Sequence, residues 1–191
     1  DDKTIILDVR SQDHFRLGHV PGSIFIGLNG GFAPWVGAII KDISTKILLV
    51  CEKSTENQAI MRLSRVGFDN VIGYLDGGFE VWKKSNQTIG SIDSISPTYL
   101  KEIINSKISL IDVRSKNERN NGYLKTAQNI PLNIIDINTN KLDKSTDHYI
   151  HCAGGYRSMI ACSVLKRLGF DSLLDISGGF AAIRKVGIKI H

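Results

Sequence analysis

The chain carries the same local pattern twice, and that duplication limits what it can fold into. Thr4-Ile5-Ile6-Leu7-Asp8-Val9 leads into Arg10 and Ser11, and Ile108-Ser109-Leu110-Ile111-Asp112-Val113 leads into Arg114 and Ser115, with the two aspartates 104 positions apart. Gly18 and Gly122 keep that offset, Cys51 and Cys152 stand 101 apart, Gly67-Phe68-Asp69 and Gly169-Phe170-Asp171 stand 102 apart, and Gly77-Gly78-Phe79 and Gly178-Gly179-Phe180 stand 101 apart. Offsets that drift by so little describe one duplicated unit with small loop insertions. A length of 191 residues gives each copy roughly 100, enough for a hydrophobic core of its own.

Each copy reads as strand, turn, short strand, a variable stretch, a strand ending in Cys, a helix, a Gly-Phe-Asp turn, another strand, Gly-Gly and a last helix. Alternating strands and helices predict an α/β fold, with a mostly parallel sheet covered by helices on both faces of each domain. The expected domains are 1–86 and 98–191, joined by a polar, turn-rich linker at 87–97. Ser96-Pro97 is expected to cap and open a helix through Asn105. The first copy lacks room for such a helix, and the chain does not start with Met, so truncation at the N-terminus is expected.

The stretch with chemistry in it is Cys152-Ala153-Gly154-Gly155-Tyr156-Arg157-Ser158. A cysteine ending a strand, two glycines that allow a tight turn, and an arginine opening a helix make an anion cradle around sulfur. The helix N-terminus presents unpaired N–H groups and partial positive charge, and such surroundings lower a thiol pKa from about 8.5 to roughly 3.5 to 7.5. Charge agrees with this placement. Residues 1–90 hold 10 Lys+Arg and 10 Asp+Glu, whereas residues 91–191 hold 14 and 9, so the whole excess of +5 lies in the half with the cradle. No basic block interleaved with aromatics suggests nucleic acid as a partner, and no run of about 18 apolar residues suggests a membrane span.

Taken together, these motifs resemble the rhodanese family of sulfurtransferases across essentially the whole chain, as two tandem domains. The resemblance rests on Asp-Val-Arg after each first strand, Gly18-His19-Val20-Pro21-Gly22-Ser23, the Cys-x4-Arg loop and the paired Gly-Gly-Phe. Phe32-Ala33-Pro34-Trp35-Val36-Gly37 in the first copy, combined with the Cys152 loop in the second, looks like the tandem region of bacterial proteins that carry an N-terminal metallo-β-lactamase-fold domain acting as a persulfide dioxygenase. The resemblance implies a sulfurtransferase in which Cys152 takes sulfane sulfur from thiosulfate or a low-molecular-weight persulfide, holds it as a persulfide and passes it to a thiol. Cys152 and Arg157 are the implied catalytic residues. Ala153, Gly154, Gly155, Tyr156 and Ser158 are the implied substrate-binding ones. No metal or cofactor is implied within these two domains, and the expected partners are small anionic sulfur donors, thiol acceptors and the missing metallo-β-lactamase-fold domain. Three cysteines without disulfide or metal-pair spacing suit the cytoplasm.

Rival readings use the same residues. A phosphatase loop of this type has Cys-x5-Arg, one residue wider than Cys152 to Arg157. A non-catalytic interaction module is the alternative from a different class, and the first copy on its own favours it. After Cys51 comes Glu52-Lys53-Ser54-Thr55-Glu56-Asn57, without glycine or arginine, and either Thr55 or Glu56 takes the place of the loop arginine. Carboxylates beside Cys51 are expected to raise its pKa and repel anionic donors, leaving a structural domain. Asp8 with Arg10, and Asp112 with Arg114 and Glu118, are expected to orient loops. His19 is expected to be structural, and His151, next to Cys152 on a strand, is expected to face away from it. Cys162 is expected in the core, with a resolving thiol as its other reading, and Phe32 and Trp35 are expected at a domain interface or a substrate mouth.

Overall fold

The computed structural model describes residues 4–191, so the expected start of the first domain at residue 1 lies outside it. The chain divides into two compact units after Ser91. In the first, β1 (Thr4–Asp8), α1 (Gln12–Leu17), β2 (Ile24–Phe25), α2 (Phe32–Ile39), β3 (Lys46–Val50), α3 (Glu56–Ser64), β4 (Val71–Tyr74) and α4 (Gly78–Lys84) follow in order. The strands lie β2-β1-β3-β4, all parallel. Parallel neighbours need a crossover between them, which the intervening helices provide. Leu7, Ile47 and Leu49 are completely buried, as the continuous apolar runs of doubly covered strands require.

The second unit repeats this plan with an added edge. It contains β5 (Asp93–Ile95), α5 (Pro97–Ile103), β6 (Ser109–Asp112), α6 (Lys116–Asn120), β7 (Gln128–Asn129), β8 (His148–His151), α7 (Tyr156–Arg167), β9 (Leu173–Ile176) and α8 (Gly179–Lys185), with two 3-10 segments, Leu132–Ile134 and Asp136–Lys141, before β8. Strand order is β5-β9-β8-β6-β7, again parallel throughout. Part of the stretch expected as linker is therefore sheet: Ile92 is buried, and β5 pairs with β9. The signal was there in Ile92 and Ile95, but the polar residues around them masked it. Ser96 Oγ accepts from Tyr99 N at 3.1 Å and Pro97 opens α5, the geometry that the Ser-Pro pair predicts.

The two copies carry the same scaffold contacts. Arg10 grips Asp8 through Nε (3.0 Å) and Nη2 (2.6 Å) and reaches Gly18 O at 2.7 Å; Arg114 grips Asp112 at 2.9 and 2.7 Å and reaches Gly122 O at 3.0 Å. In each copy this buried pair ties the end of the first strand to the loop before the short strand. The guanidinium also lies on the phenylalanine of the Gly-Gly-Phe motif, 4.2 Å over Phe79 and 3.7 Å over Phe180. Asp-Val-Arg and Gly-Gly-Phe are thus two halves of one contact, 69 and 66 residues apart in sequence.

Candidate active site

Cys152 stands directly after β8 and before the 12-residue α7, at the carboxyl end of a central parallel strand, where ligands gather in open α/β sheets. Its side chain is buried, and Gly155 N–H donates to its Sγ at 3.1 Å. Gly155 caps α7 with φ of 108°, a conformation that L side chains rarely adopt, which explains the glycine there. The loop rests on α8: Phe180 N–H donates to Cys152 O at 2.7 Å and Ala181 N–H to Ala153 O at 3.0 Å. At Gly179, with φ of 56°, an added Cβ would lie 2.6 Å from Cys152 O and 2.8 Å from Gly154 N, so the loop and α8 can meet only over a glycine.

Ala153 to Gly155 bend the chain between Cys152 and α7, whose first three residues are Tyr156, Arg157 and Ser158. Ala153 is half-buried, Gly154 exposed, and Tyr156 half-buried as the first residue of α7. Arg157, expected either to bind an anion or to fix the loop, has a bidentate partner on the protein: Nη1 is 2.7 Å from Glu118 Oε2 and Nη2 is 2.6 Å from Oε1. Glu118 also accepts from the amide and hydroxyl of Ser115, which caps α6 in a reciprocal capping box. Arg157 hydrogen bonding, with help from Ser115, holds the Glu118 carboxyl down to about 2. Glu118 in turn raises the pKa of Arg157, and the nearby Cys152 acts in the same direction.

Ser158 is completely buried, and its Oγ lies 3.6 Å from Cys152 Sγ, 2.8 Å from Gly155 O and 2.5 Å from Asp175 Oδ1 of β9. Asp175 was not singled out in the sequence, and Gly179 was noted only as part of the repeated Gly-Gly-Phe motif. Gly179 belongs to a repeated motif and could have been found by asking what the repeat packs against, but Asp175 has no repeated counterpart and gave no signal.

His151 is buried beside the loop, with Nδ1 3.3 Å from Cys152 O and 3.9 Å from Asp112 Oδ1, and its ring is stacked near Phe180. Burial pushes its pKa down, and its contacts run to the backbone and Asp112, away from the thiol. Cys162 is entirely buried inside α7, and burial pushes its thiol well above the ordinary range. That is a core residue. His19 stacks on Phe15 at 4.0 Å and bonds Phe15 O through Nδ1. Phe32 is buried, with the Arg62 guanidinium 4.9 Å from its ring, so it packs within its own unit.

The first unit has the same placement and different chemistry. Cys51 follows β3 under a cleft of about 570 Å³ whose lining includes Arg10, His14, Glu52, Phe79 and Lys83. Burial, followed by Glu56, Asp8 and Glu52, pushes its thiol up to about 12. The carboxylates foreseen from sequence contribute, but burial is the larger cause. His14 occupies the position of Glu118, and its Nδ1 lies 2.5 Å from Glu52 Oε1. Phe68 N bonds Leu63 O and Phe170 N bonds Leu165 O, which matches α3 to α7 at an offset of 102 and sets Thr55 opposite Arg157. Among the described residues, no group of three His, Cys, Asp or Glu is placed to hold a metal ion.

Two parallel sheets flanked by helices, each with a cysteine at the strand end and an arginine-aspartate clasp behind it, define a tandem α/β protein of the rhodanese type. The family model for the rhodanese-like domain matches residues 1–85 and again 96–185, and the chain belongs to that family. A sulfurtransferase of Allochromatium vinosum is 31% identical over 83 residues, 44% of this chain and 78% of that protein. The uncharacterized protein YqhL of Bacillus subtilis is 34% identical over 84 residues, 44% of this chain and 64% of that protein. A rhodanese-like domain protein of Staphylococcus aureus, known by crystal structure, is 32% identical, with a TM-score of 0.48 over 52% of this chain and 99% of that one. Family and relatives together support a sulfurtransferase activity in general terms. No helix among the described residues is long and apolar enough to cross a membrane.

Proposed function

We propose that the second unit moves sulfane sulfur from thiosulfate or a low-molecular-weight persulfide to a thiol acceptor through a persulfide on Cys152. The observation that carries this reading is the Cys152 Sγ at the mouth of α7, with the Gly155 amide on it and Arg157 in the same turn. In the first half-reaction the Cys152 thiolate attacks the outer sulfur of the donor; the new S–S bond forms as the old one breaks, and its electron pair leaves with sulfite or with the donor thiolate. The Gly155 amide, 3.1 Å from Sγ, supports a role for the loop from Ala153 to Arg157 in stabilising the sulfur that gains charge, in the manner of an oxyanion hole. In the second half-reaction an acceptor thiolate attacks the outer sulfur of the Cys152 persulfide and Cys152 departs as thiolate. Arg157, held by Glu118, keeps the loop in shape and supplies positive charge beside it.

The first unit acts in this proposal as a non-catalytic companion, because the Cys51 thiol is protonated across the working range and its loop has neither glycine nor arginine. A metallo-β-lactamase-fold dioxygenase is proposed as the partner on the strength of the sequence combination of the Phe32 to Gly37 motif in the first copy with the Cys152 loop in the second, and the cytoplasm as the compartment on the strength of three free cysteines. Mass spectrometry after incubation with thiosulfate or glutathione persulfide tests the central claim. An adduct of about 32 Da on Cys152 is expected, and its absence with both donors overturns the proposal.

A further inference from the structure

Three elements set the charge around Cys152. Arg157 of α7 brings a positive charge that Glu118 of α6 engages with both oxygens. Asp175 of β9 places a carboxylate, 3% exposed, behind the sulfur. Between Asp175 and Cys152 stands Ser158, whose hydroxyl has one proton and three acceptors in reach, at 2.5, 2.8 and 3.6 Å. A distance of about 2.5 to 2.7 Å marks an O–H donating to a carboxylate, so Asp175 Oδ1 is the strongest of the three competitors for the Ser158 proton, and the hydroxyl links that carboxylate to Sγ. The Asp175 carboxylate, joined to the sulfur through that hydroxyl, therefore opposes negative charge on it. In the first unit the helix register sets Glu56 opposite Ser158, and the sheet register, in which Leu49 pairs with Tyr74 and Ile150 with Asp175, sets Tyr74 opposite Asp175.

Other titratable and charged groups stand on the elements near the loop, and two of them, His151 through Nε2 and Arg119 through Nη1, have a buried nitrogen without a hydrogen-bond partner among the described residues. Burial pushes the thiol of Cys162 of α7 up and the imidazole of His151 of β8 down. Asp112 is clasped by Arg114, and Arg119 lies 3.7 Å from Asp112 and over the ring of Tyr123. The N-terminal end of α8 meets the loop through Gly179, Phe180 and Ala181, which carry no charge, while Arg184 and Lys185 stand in its last turn.

We propose that Asp175, acting through Ser158, selects the sulfur donor by charge, favouring a hydropersulfide over the thiosulfate dianion. The proposal rests on sulfur transfer at Cys152. With thiosulfate, a thiolate and a dianion bring three negative charges together; the Sγ–S bond forms, the S–SO3 bond breaks, and its electron pair leaves with sulfite, giving Cys152–S–S⁻. With a hydropersulfide R–S–SH only the thiolate charge is present; the Sγ–S bond forms, the S–S bond breaks, Cys152–S–SH results, and R–S⁻ leaves and takes a proton from water. Neither step needs an oxidant or a reductant. Like charge at Asp175 penalises the first route far more than the second. Asp175 is a positioning residue: it reaches the reacting sulfur only through the Ser158 hydroxyl.

Single-turnover loading of the full chain with thiosulfate and with cysteine hydropersulfide, followed by mass spectrometry, tests this in wild type and Asp175→Asn, whose side-chain oxygen still accepts from Ser158. Wild type loads faster from the hydropersulfide. Asp175→Asn raises the thiosulfate-to-hydropersulfide rate ratio about tenfold and moves the midpoint of the Cys152 alkylation pH profile down by about one unit. Asp175→Ser, which also removes the charge and keeps a hydrogen-bonding group, shifts both readouts in the same direction and serves if the Asn variant does not fold. A purely structural role slows both donors together and leaves ratio and midpoint in place, which overturns the proposal, as does an upward shift of the midpoint. Wild type that loads from neither donor removes sulfur transfer itself, an outcome distinct from equal loading by both.

Discussion

The guanidinium of Arg157 and the carboxylate of Glu118 meet in a two-pronged ion pair, 2.6 and 2.7 Å, that ties the Cys152 loop to α6. Thirty-nine residues separate them in sequence. The same carboxylate closes the capping box of α6, so helix start and cysteine loop share one acceptor. Replacing Arg157 with Lys keeps the charge and loses the fork. Arg157→Lys is expected to slow sulfur loading of Cys152 by about tenfold to a hundredfold, the range typical when a supporting contact of a reacting group is lost, with Tm changed little. Loading at the wild-type rate would show that the fork does not shape the loop.

The pH dependence of this pair has a definite sign. Glu118 has its carboxyl lowered from 4.5 to about 2, so the stabilisation is complete above its unfolded value and disappears as pH falls through the folded one. Between about pH 4.5 and about pH 2, Tm of wild type is expected to fall more steeply than that of Glu118→Gln. The side chain of Glu118 is 36% exposed, so solvent screening keeps the effect small. Parallel Tm curves for the two proteins would contradict it.

Cys51 provides the contrast to Cys152. With its thiol pushed up to about 12, Cys51 is expected to resist iodoacetamide at pH 8 in the folded chain, while Cys51→Ser leaves loading of Cys152 unchanged. Glu52→Gln and Glu56→Gln remove only the smaller causes and leave Cys51 slow, because burial is the largest. Peptide mapping of the alkylated protein reads this directly, and rapid modification of Cys51 would count against it.

Gly179 is the contact between cradle and α8. Gly179→Ala forces a methyl group to within 2.6 Å of Cys152 O at a φ of 56°. A cost of about 1 to 3 kcal/mol and a displaced loop are expected. Gly78→Ala, with its nearest contact at 3.3 Å from Cys51 O, relaxes more easily at a comparable φ. Thermal unfolding and Cys152 loading should both fall for Gly179→Ala, and loading should survive in Gly78→Ala.

The buried clasp of Asp112 and Arg114 is expected to be the most sensitive scaffold position. Arg114→Ala leaves a fully buried carboxylate without its main partner and uncovers Phe180, and breaking such a pair costs about 3 to 5 kcal/mol. Denaturant unfolding should show that loss in the second unit. A change below about 1 kcal/mol would mean that Asp112 finds another partner, with Arg119, 3.7 Å away, the nearest candidate.

Residues close together in sequence were legible before the fold. The repeat, the Cys152 loop, the Ser96-Pro97 helix start and the parallel α/β plan all depend on local spacing or on hydrophobic runs. The strand β5 was hidden because three residues flanked by polar neighbours carry little periodic signal, and their pairing with β9 depends on Leu174 to Ile176, some 80 positions away. Glu118 was visible as a loop-orienting residue, but its partner was not.

The sequence by itself determined that one unit was duplicated, that only the second copy kept a glycine-and-arginine loop after its cysteine, and that positive charge gathered in that half. Only the tertiary structure decided where the Arg157 charge is spent, that Asp175 reaches the sulfur through Ser158, and that Gly179 has no room for a methyl group. The physical reason is that a chain written in local propensities fixes helices, strands and turns, whereas the electrostatics of a buried atom depend on whichever distant segments the sheet order brings within about 4 Å of it.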